Sequence, residues 1–594
     1  MDRLAFDLAS SDIDSAQISP FVNKSWLSVV DDNASSYASS QVTISTGQFA
    51  NSSSFLNYSE GFLQIPMLLT VTSDVGVGFE PNQENTGAGY GIGLKNWFGT
   101  MIHSISISYN GTVVVQSQPM QSVLNAFRLA TTMSYGCVEK MGATYGLAFD
   151  DPCAFTYNPV AGTTQGQGVC NNLNLAHATP AVFGSSTNWG SYTAFTGSDA
   201  LRKRMSYINF DPAAGGNGAY SDFQTAEVCN QLYKSHVIAK VDATALLRGV
   251  FQVSVSATVM LKHLSPFFAS LPMVRGAFIQ LTMQLNNTTM VVRKLGVAVG
   301  ADAALEAAAV EDRVLTVLSV NNAVGGINPM MCASTALGNG GACFNITRTR
   351  TLDITASICV GNRCIETTQS SIAGVTTGGV GTSITLNVPS YKMSPLIEQS
   401  YLADPIRSCI YLDHYFFTIP NVAHDSTFNT LLSNGIANMK RVTIFPTLAT
   451  SDATSTSLPA GLAVYSSPFD PALTSAFGSP LLSIGQLQVI VAGANVLANQ
   501  HRYGYEHWMQ EMSTFGVNGS LTDGVCSGLG SQLAWEMAPV YSIDLSRMSA
   551  AEKVLPKSIS ISGINSSPRT VSYICCVEYE QTGFRVDVLT GKQV

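Results

Sequence analysis

The chain has 594 residues, of which only 12% are charged, and a net charge of −9 with the histidines neutral. That length is too great for a single core, and an acidic chain without a basic arm is excluded from binding nucleic acid by phosphate neutralisation. With 46% hydrophobic residues and so little charge, much of the surface must be neutral, which suits a protein held in lasting contacts rather than one diffusing alone.

Residues 1–20, MDRLAFDLASSDIDSAQISP, carry four aspartates against one arginine and read as an exposed acidic arm. No basic region leads into an apolar run there, so no secretory signal is expected, and no run of about 18 apolar residues occurs that would span a membrane. The first strands are expected at Gln41 to Thr46 and Phe62 to Thr72. The following loop holds Gly87-Ala88-Gly89-Tyr90-Gly91-Ile92-Gly93, but it lacks the preceding strand and following helix that a phosphate site requires, and no cofactor is expected.

The most informative stretch is Ile102 to Thr131. Ile105, Ile107 and Tyr109 alternate with serines, Asn110-Gly111 supplies the two positive-φ residues of a tight hairpin turn, and Val113-Val114-Val115 returns. Past Pro119 the period becomes helical at Val123, Leu124, Phe127 and Ala130. A weaker copy recurs at Leu487 to Met512: Leu487, Val489 and Val491 alternate, Gly493-Ala494-Asn495 is the expected turn, and Tyr505, Trp508, Met509 and Met512 take helical spacing. A second echo pairs Leu271-Pro272 before the strand Ala277 to Met283 with Leu555-Pro556 before Ser558 to Ile561. Two echoes in one order point to two homologous β-domains in tandem.

Between them, Ser134 to Tyr233 is a long Gly, Thr, Asn and Ser-rich excursion whose aromatic islands, such as Trp189 and Tyr192, argue for order. Strands resume at His236 to Asp242 and Gly249 to Leu261, followed by a short helical cap at His263 to Phe268. The alanine-rich Ala301 to Ala309 is the expected linker, dividing the chain into an arm (1–20), a first jelly roll (21–305, with its long loop at about 134–233) and a second (306–594). Further strands are expected at Thr351 to Val360, Ser383 to Val388, Ser408 to Ile419, Arg441 to Pro446, Leu487 to Val491, Val540 to Leu545, Lys557 to Ile561 and Thr570 to Glu580, with a short helix at Phe428 to Gly435. About eight strands per half is the count of a jelly roll, so the expected class is all-β, two tandem eight-stranded jelly rolls with short helices and long inserted loops.

Chemistry is sparse. Asp413-His414 and His424-Asp425 are adjacent, but neighbours on a strand point to opposite faces. Asp31-Asp32 and Asp150-Asp151 read as solvated turn residues, and Arg202-Lys203-Arg204 as a solvated loop. The twelve cysteines form no C-x-x-C pair and read as buried reduced thiols. No metal-ligand spacing occurs, and no catalytic, cofactor or metal residue is expected. A carbohydrate-binding or carbohydrate-active β-sandwich is the alternative from another class; it would need two carboxylates in a cleft.

Several short stretches together resemble the double-jelly-roll major capsid proteins of the virophage and polinton-like virus group: Asn57 to Pro66, Ile102 to Thr131, Leu271 to Phe278, Phe428 to Asn438, Ser467 to Asp470, and Val577 to Glu580 with Val588 to Gly591. The Ser134 to Tyr233 excursion and the Gly-rich Ala323 to Ala342 segment depart from that pattern. The resemblance implies a non-enzymatic structural protein of the virion. Three copies would form a pseudo-hexameric capsomer that tiles an icosahedral shell, with neighbouring capsomers, penton and minor capsid proteins as partners.

Overall fold

Eight strands of the first sandwich appear in chain order as β1 (Phe21–Val30), β2 (Gln41–Ser45), β3 (Phe62–Ser73), β4 (Ile102–Tyr109), β5 (Thr112–Val115), β6 (Gly249–Met260), β7 (Ile279–Leu285) and β8 (Thr385–Met393). They pair antiparallel into one sheet in the order β1-β8-β3-β6 and another in the order β2-β7-β4-β5. The second sandwich repeats this with β9 (Ile406–Val422), β10 (Thr427–Ile436), β11 (Met439–Leu448), β12 (Ile484–Val491), β13 (Ala494–Asn495), β14 (Tyr541–Asp544), β15 (Lys557–Asn565) and β16 (Val571–Asp587). Its sheets run β9-β16-β11-β14 and β10-β15-β12-β13, the same first-eighth-third-sixth and second-seventh-fourth-fifth orders. That order, with first and last strands adjacent, is the jelly roll, and the chain is an all-β double jelly roll.

This computed structural model describes residues 20–33, 37, 40–50, 52–73, 90–94, 97–147, 155–157, 168–170, 207–210, 226–229, 236–241, 249–294, 315–321, 329–334, 352–360, 383–448, 483–497, 503–512, 535, 539–546, 554–567 and 570–594. The acidic arm up to Ser19, Gly87 to Gly89, most of the Ser134 to Tyr233 excursion with Asp150-Asp151 and Arg202-Lys203-Arg204, and the alanine-rich Ala301 to Ala309 lie outside the described residues.

Local chemistry explains the elements. Asn110 and Gly111 have φ of 47° and 85°, the pair of positive values the hairpin turn requires, and the matching turn in the second sandwich is Ala492-Gly493 at 51° and 85°. That turn stands one residue earlier than expected, because Ala494-Asn495 already pairs with β12. Helix α1 (Gln121–Thr132) follows β5, and α2 (Tyr135–Tyr145) opens with the Ser134 side chain accepting from the Cys137 N–H. The short helices α3 (Leu261–Leu264) and α4 (Pro266–Ser270) form the expected cap, α5 (Pro395–Tyr401) joins the sandwiches, and α6 (Tyr505–Met512) follows β13.

Three expectations change. The helix expected at Phe428 to Gly435 is strand β10: Phe428, Leu432 and Ile436 are buried at a spacing of four, which fits a helix or a strand equally. Pairing with β15, with register shifts after Leu431 and Ser433, makes it a strand. Strand β1 was not anticipated, because Val22 through Trp26 are all exposed and show no alternation. Finally, β8 lies beyond the expected 305/306 division yet pairs with β1 and β3, so a strand of the first sandwich follows the alanine-rich stretch. The connection from β7 to β8 supplies further strands, Thr288–Lys294 and Leu352–Val360 among them, the latter extending the sheet along β3.

Alternation sets the cores. In β7 every second residue, Ile279, Leu281, Met283 and Leu285, is fully buried. The two cores are not self-sufficient, however. The first takes in Cys409, Tyr411, Phe584, Val586 and Val588 from the second sandwich, and the second takes in Met120, just before α1, with Val123, Leu124 and Phe127 of α1. Neither half can be removed without opening the other.

Candidate functional site

The described residues place no catalytic constellation, so the site of interest is the joint through which the two sandwiches complete each other. Helix α1 lies on the outer face of the β9-β16-β11-β14 sheet. Its own sandwich holds it from behind: the Gln121 Oε1 accepts from the Ile105 N–H at 3.0 Å, and the Gln121 and Asn125 amides both donate to the Leu264 carbonyl at 3.1 Å. On the far side, the Phe127 ring meets Phe445 edge-on at 5.5 Å, and the Arg441 guanidinium lies 5.3 Å from the Phe127 centroid.

Next to that aromatic contact is a buried charge network. Strand register puts His414 opposite Glu578, Glu578 opposite Arg441, and Arg441 opposite Asp544, one row across four strands. Arg128 of α1 enters this row from the first sandwich, donating through Nε and Nη2 to Glu578 Oε1 at 3.0 and 2.6 Å, while Arg441 Nε donates to Glu578 Oε2 at 2.6 Å. The Glu578 side chain is 1% exposed. Burial alone would push its carboxyl up, but the Arg441 and Arg128 charges overcome that and hold its pKa at about 2. A carboxylate between two guanidiniums in a dry site ties α1 to the sheet of the second sandwich, because separating them would leave buried charge uncompensated.

Toward the opposite end, aromatic rings knit the joint. Phe267 of α4 contacts Tyr109 and Phe268 of the first sandwich and Tyr411 and Phe584 of the second, with centroids 5.2 to 6.4 Å apart. The Tyr411 hydroxyl donates to the Val114 carbonyl at 2.8 Å. Beyond β16 the chain turns back over the first sandwich: the Arg275 N–H donates to the Val588 carbonyl at 2.9 Å, and the Asn110 amide to that of Gly591 at 2.6 Å. Gly591 has φ 66°, and a Cβ there would stand 2.5 Å from the Ala277 nitrogen and the Arg275 oxygen, so only glycine fits.

The pairs weighed in the sequence fall elsewhere. His424 and Asp425 form an exposed surface pair at 3.2 Å. Asp413 is buried, accepting from the Tyr579 hydroxyl and the His414 N–H. Burial pushes its carboxyl up and lowers His414 to about 3, with neither ring nitrogen of His414 hydrogen-bonded. Asp31, expected to be solvated, is instead buried and accepts from the Tyr37 hydroxyl at 3.1 Å. Cys409, Cys575 and Cys576 are buried thiols. Among the described residues no cluster of three or more His, Cys, Asp or Glu could hold a metal, and no helix is long and apolar enough to cross a membrane.

Sequence reading did not single out Arg128, Arg441 or Glu578. The available signal was local: a carboxylate inside the apolar run Val571 to Tyr579, and an arginine on the apolar side of α1. Which charge answers which follows from strand pairing alone.

The buried histidines make stability acid-sensitive. Burial lowers His103 and His263 to about 4 and His414 to about 3, all below the ordinary 6.5. The unfolded chain therefore takes up these protons first. Their contribution is complete above pH 6.5 and is lost as pH falls, each with a limiting slope of about 1.4 kcal/mol per pH unit. The Glu578 contribution disappears lower, between about 4.5 and 2. Urea midpoints measured from pH 8 to pH 4 are expected to hold level down to about 6.5 and then fall; a level midpoint down to pH 5 would contradict this.

No family model and no curated protein matches this chain. Among solved structures, a chain of the Sputnik virophage aligns at 11% identity over 97% of this chain and 89% of its own, with a TM-score of 0.47. The mavirus major capsid protein aligns at 9% identity over 99% and 92%, with a TM-score of 0.43. The Faustovirus major capsid protein aligns at 9% identity over 98% and 93%, with a TM-score of 0.41.

Proposed function

We propose that the protein is a major capsid protein: a homotrimer whose six jelly rolls make a pseudo-hexagonal tile of an icosahedral virion shell. The observation that carries this reading is the same eight-strand order built twice in one chain and joined by a shared core and a buried charge network. A shell tile needs a rigid block with near-equivalent units side by side, and a low-charge surface lets its flanks be buried against neighbours at small desolvation cost. Work of this kind is done by shape and interface burial, without catalytic residues. Penton and minor capsid proteins are the partners expected at the shell's vertices and inner surface.

The test is the solution mass. A species of about 189 kDa, three times the chain's 63.0 kDa, that resists dilution is the expected result. A stable 63.0 kDa monomer at micromolar concentration would overturn the trimer.

A further inference from the structure

Asn110-Gly111 does more than turn the hairpin between β4 and β5. In an asparagine followed by glycine, the side-chain carbon Cγ can be reached by the next backbone nitrogen through a five-membered ring, and glycine has no Cβ to obstruct the approach. Both residues are exposed, and a Cβ built on Gly111 meets nothing within 4 Å, so water reaches the turn and the turn has room to bend. The other Asn-Gly pair among the described residues, Asn434-Gly435, lies inside β10, where the Gly435 N–H donates to Ser433 Oγ at 3.3 Å.

The Asn110 carboxamide is nevertheless held from both ends. Its Oδ1 accepts from the Phe278 N–H at 2.9 Å, and its Nδ2 donates to the Gly591 carbonyl at 2.6 Å. The first partner stands just ahead of β7 and the second on the return of the chain beyond β16. That return lies backbone to backbone on the segment before β7: the Arg275 N–H donates to the Val588 carbonyl at 2.9 Å, and a Cβ on Gly276 would stand 3.1 Å from the Thr590 oxygen. The Asn110 side chain thus pins three segments together. Attack on Cγ needs the carboxamide to turn its face to the Gly111 nitrogen, and that turn breaks at least one of the two bonds.

We propose that Asn110 is a self-modification site, a deamidating asparagine guarded by the C-terminal return. When the return lifts, the Gly111 nitrogen attacks Cγ and loses its proton, while the Cγ–Nδ2 bond breaks and the amide nitrogen leaves as ammonia. Water then opens the succinimide at either carbonyl, leaving aspartate or isoaspartate, and no oxidant or reductant enters. Settling of the return does not reverse the change. A carboxylate in place of the Asn110 amide has no N–H for the Gly591 carbonyl, so two acceptors meet where a 2.6 Å bond stood. A transient lift of the return becomes a permanent negative charge and a loosened clasp.

The test compares the full-length wild type with Gly591→Ala, whose Cβ would stand 2.5 Å from the Ala277 nitrogen and the Arg275 oxygen and so lifts the return without removing it. Both proteins are kept in mildly alkaline buffer, and their peptides are mapped by mass spectrometry for deamidation and isoaspartate. Modification of Asn110 is expected to be roughly 3- to 12-fold faster in Gly591→Ala, the factor that loss of one hydrogen bond of ordinary net strength gives, with Asn434 unchanged. Equal rates at Asn110 in the two proteins overturn the guard. A rise at Asn434 as large as that at Asn110 overturns it too, since general unfolding would then be the cause. An Asn110 that stays intact in both folded proteins while the urea-unfolded chain converts overturns the site itself. Asn110→Asp reads the consequence independently: hydrogen exchange at the Arg275 amide, which donates to the Val588 carbonyl, is expected to quicken, and unchanged exchange would overturn the loosened clasp.

Discussion

Replacing Glu578 by alanine is expected to cost about 3–5 kcal/mol, the range for removing one partner of a buried ion network. The loss is large because the carboxylate answers two guanidiniums at once. Without it, Arg441, with a side chain 5% exposed, and Arg128, at 14%, both lose the buried carboxylate to which they donate. Since Arg128 belongs to the first sandwich and the other two to the second, the damage falls on the joint. Denaturant unfolding followed by intrinsic fluorescence should change from one coupled transition to two, as the sandwiches lose their hold on each other. Replacing all three residues together by methionine or leucine should recover most of the loss, because a well-packed apolar patch is about as stable as a satisfied buried network. A Glu578→Ala protein with an unchanged midpoint and a single transition would show that the network does not join the sandwiches.

The second large effect is expected at the aromatic end of the joint. Phe267→Ala should cost about 3–5 kcal/mol, the usual range for emptying a fully buried phenylalanine site. Phe267 touches rings from both sandwiches, whereas its neighbour Phe268 contacts Tyr58 and Phe267, both of the first. The two variants should therefore differ in kind. Phe267→Ala is expected to uncouple the sandwiches, and Phe268→Ala to weaken the first while leaving the joint in place. Hydrogen exchange reads this directly: increased exchange at Tyr411 and Phe584 in Phe267→Ala but not in Phe268→Ala is the expected pattern, and equal exchange in both would refute it.

Much of the molecule was legible in the residues. Strict alternation with a turn dipeptide, as at Ile105 to Val115, leaves a strand no other conformation that buries its apolar side, and the hairpin has the two positive φ values its Asn-Gly requires. Helical spacing after Pro119 likewise located α1. The recurrence of this unit at Leu487 to Met512 was enough to argue two related sandwiches, because repetition survives in the pattern of burial even where identities drift.

What the sequence by itself determined, then, was the class of the strictly periodic elements and the fact of their duplication, each of which follows from periods of two and 3.6 residues along a single segment, whereas the spacing of four at Phe428 to Ile436 left helix and strand alike open. Only the tertiary structure decided which strands are partners. The last strand of the first sandwich, Thr385–Met393, stands more than ninety positions past Leu285 in the chain, and hydrogen bonding to β1 and β3, which no local pattern encodes, assigns it there. The same holds for β1, whose exposed residues hide its period, and for Arg128, Arg441 and Glu578, three ordinary charges until pairing brings both guanidiniums within 3.0 Å of the carboxylate. The physical reason is common to all three cases: local order is a property of neighbours along the chain, whereas charge compensation and sheet register belong to neighbours in space.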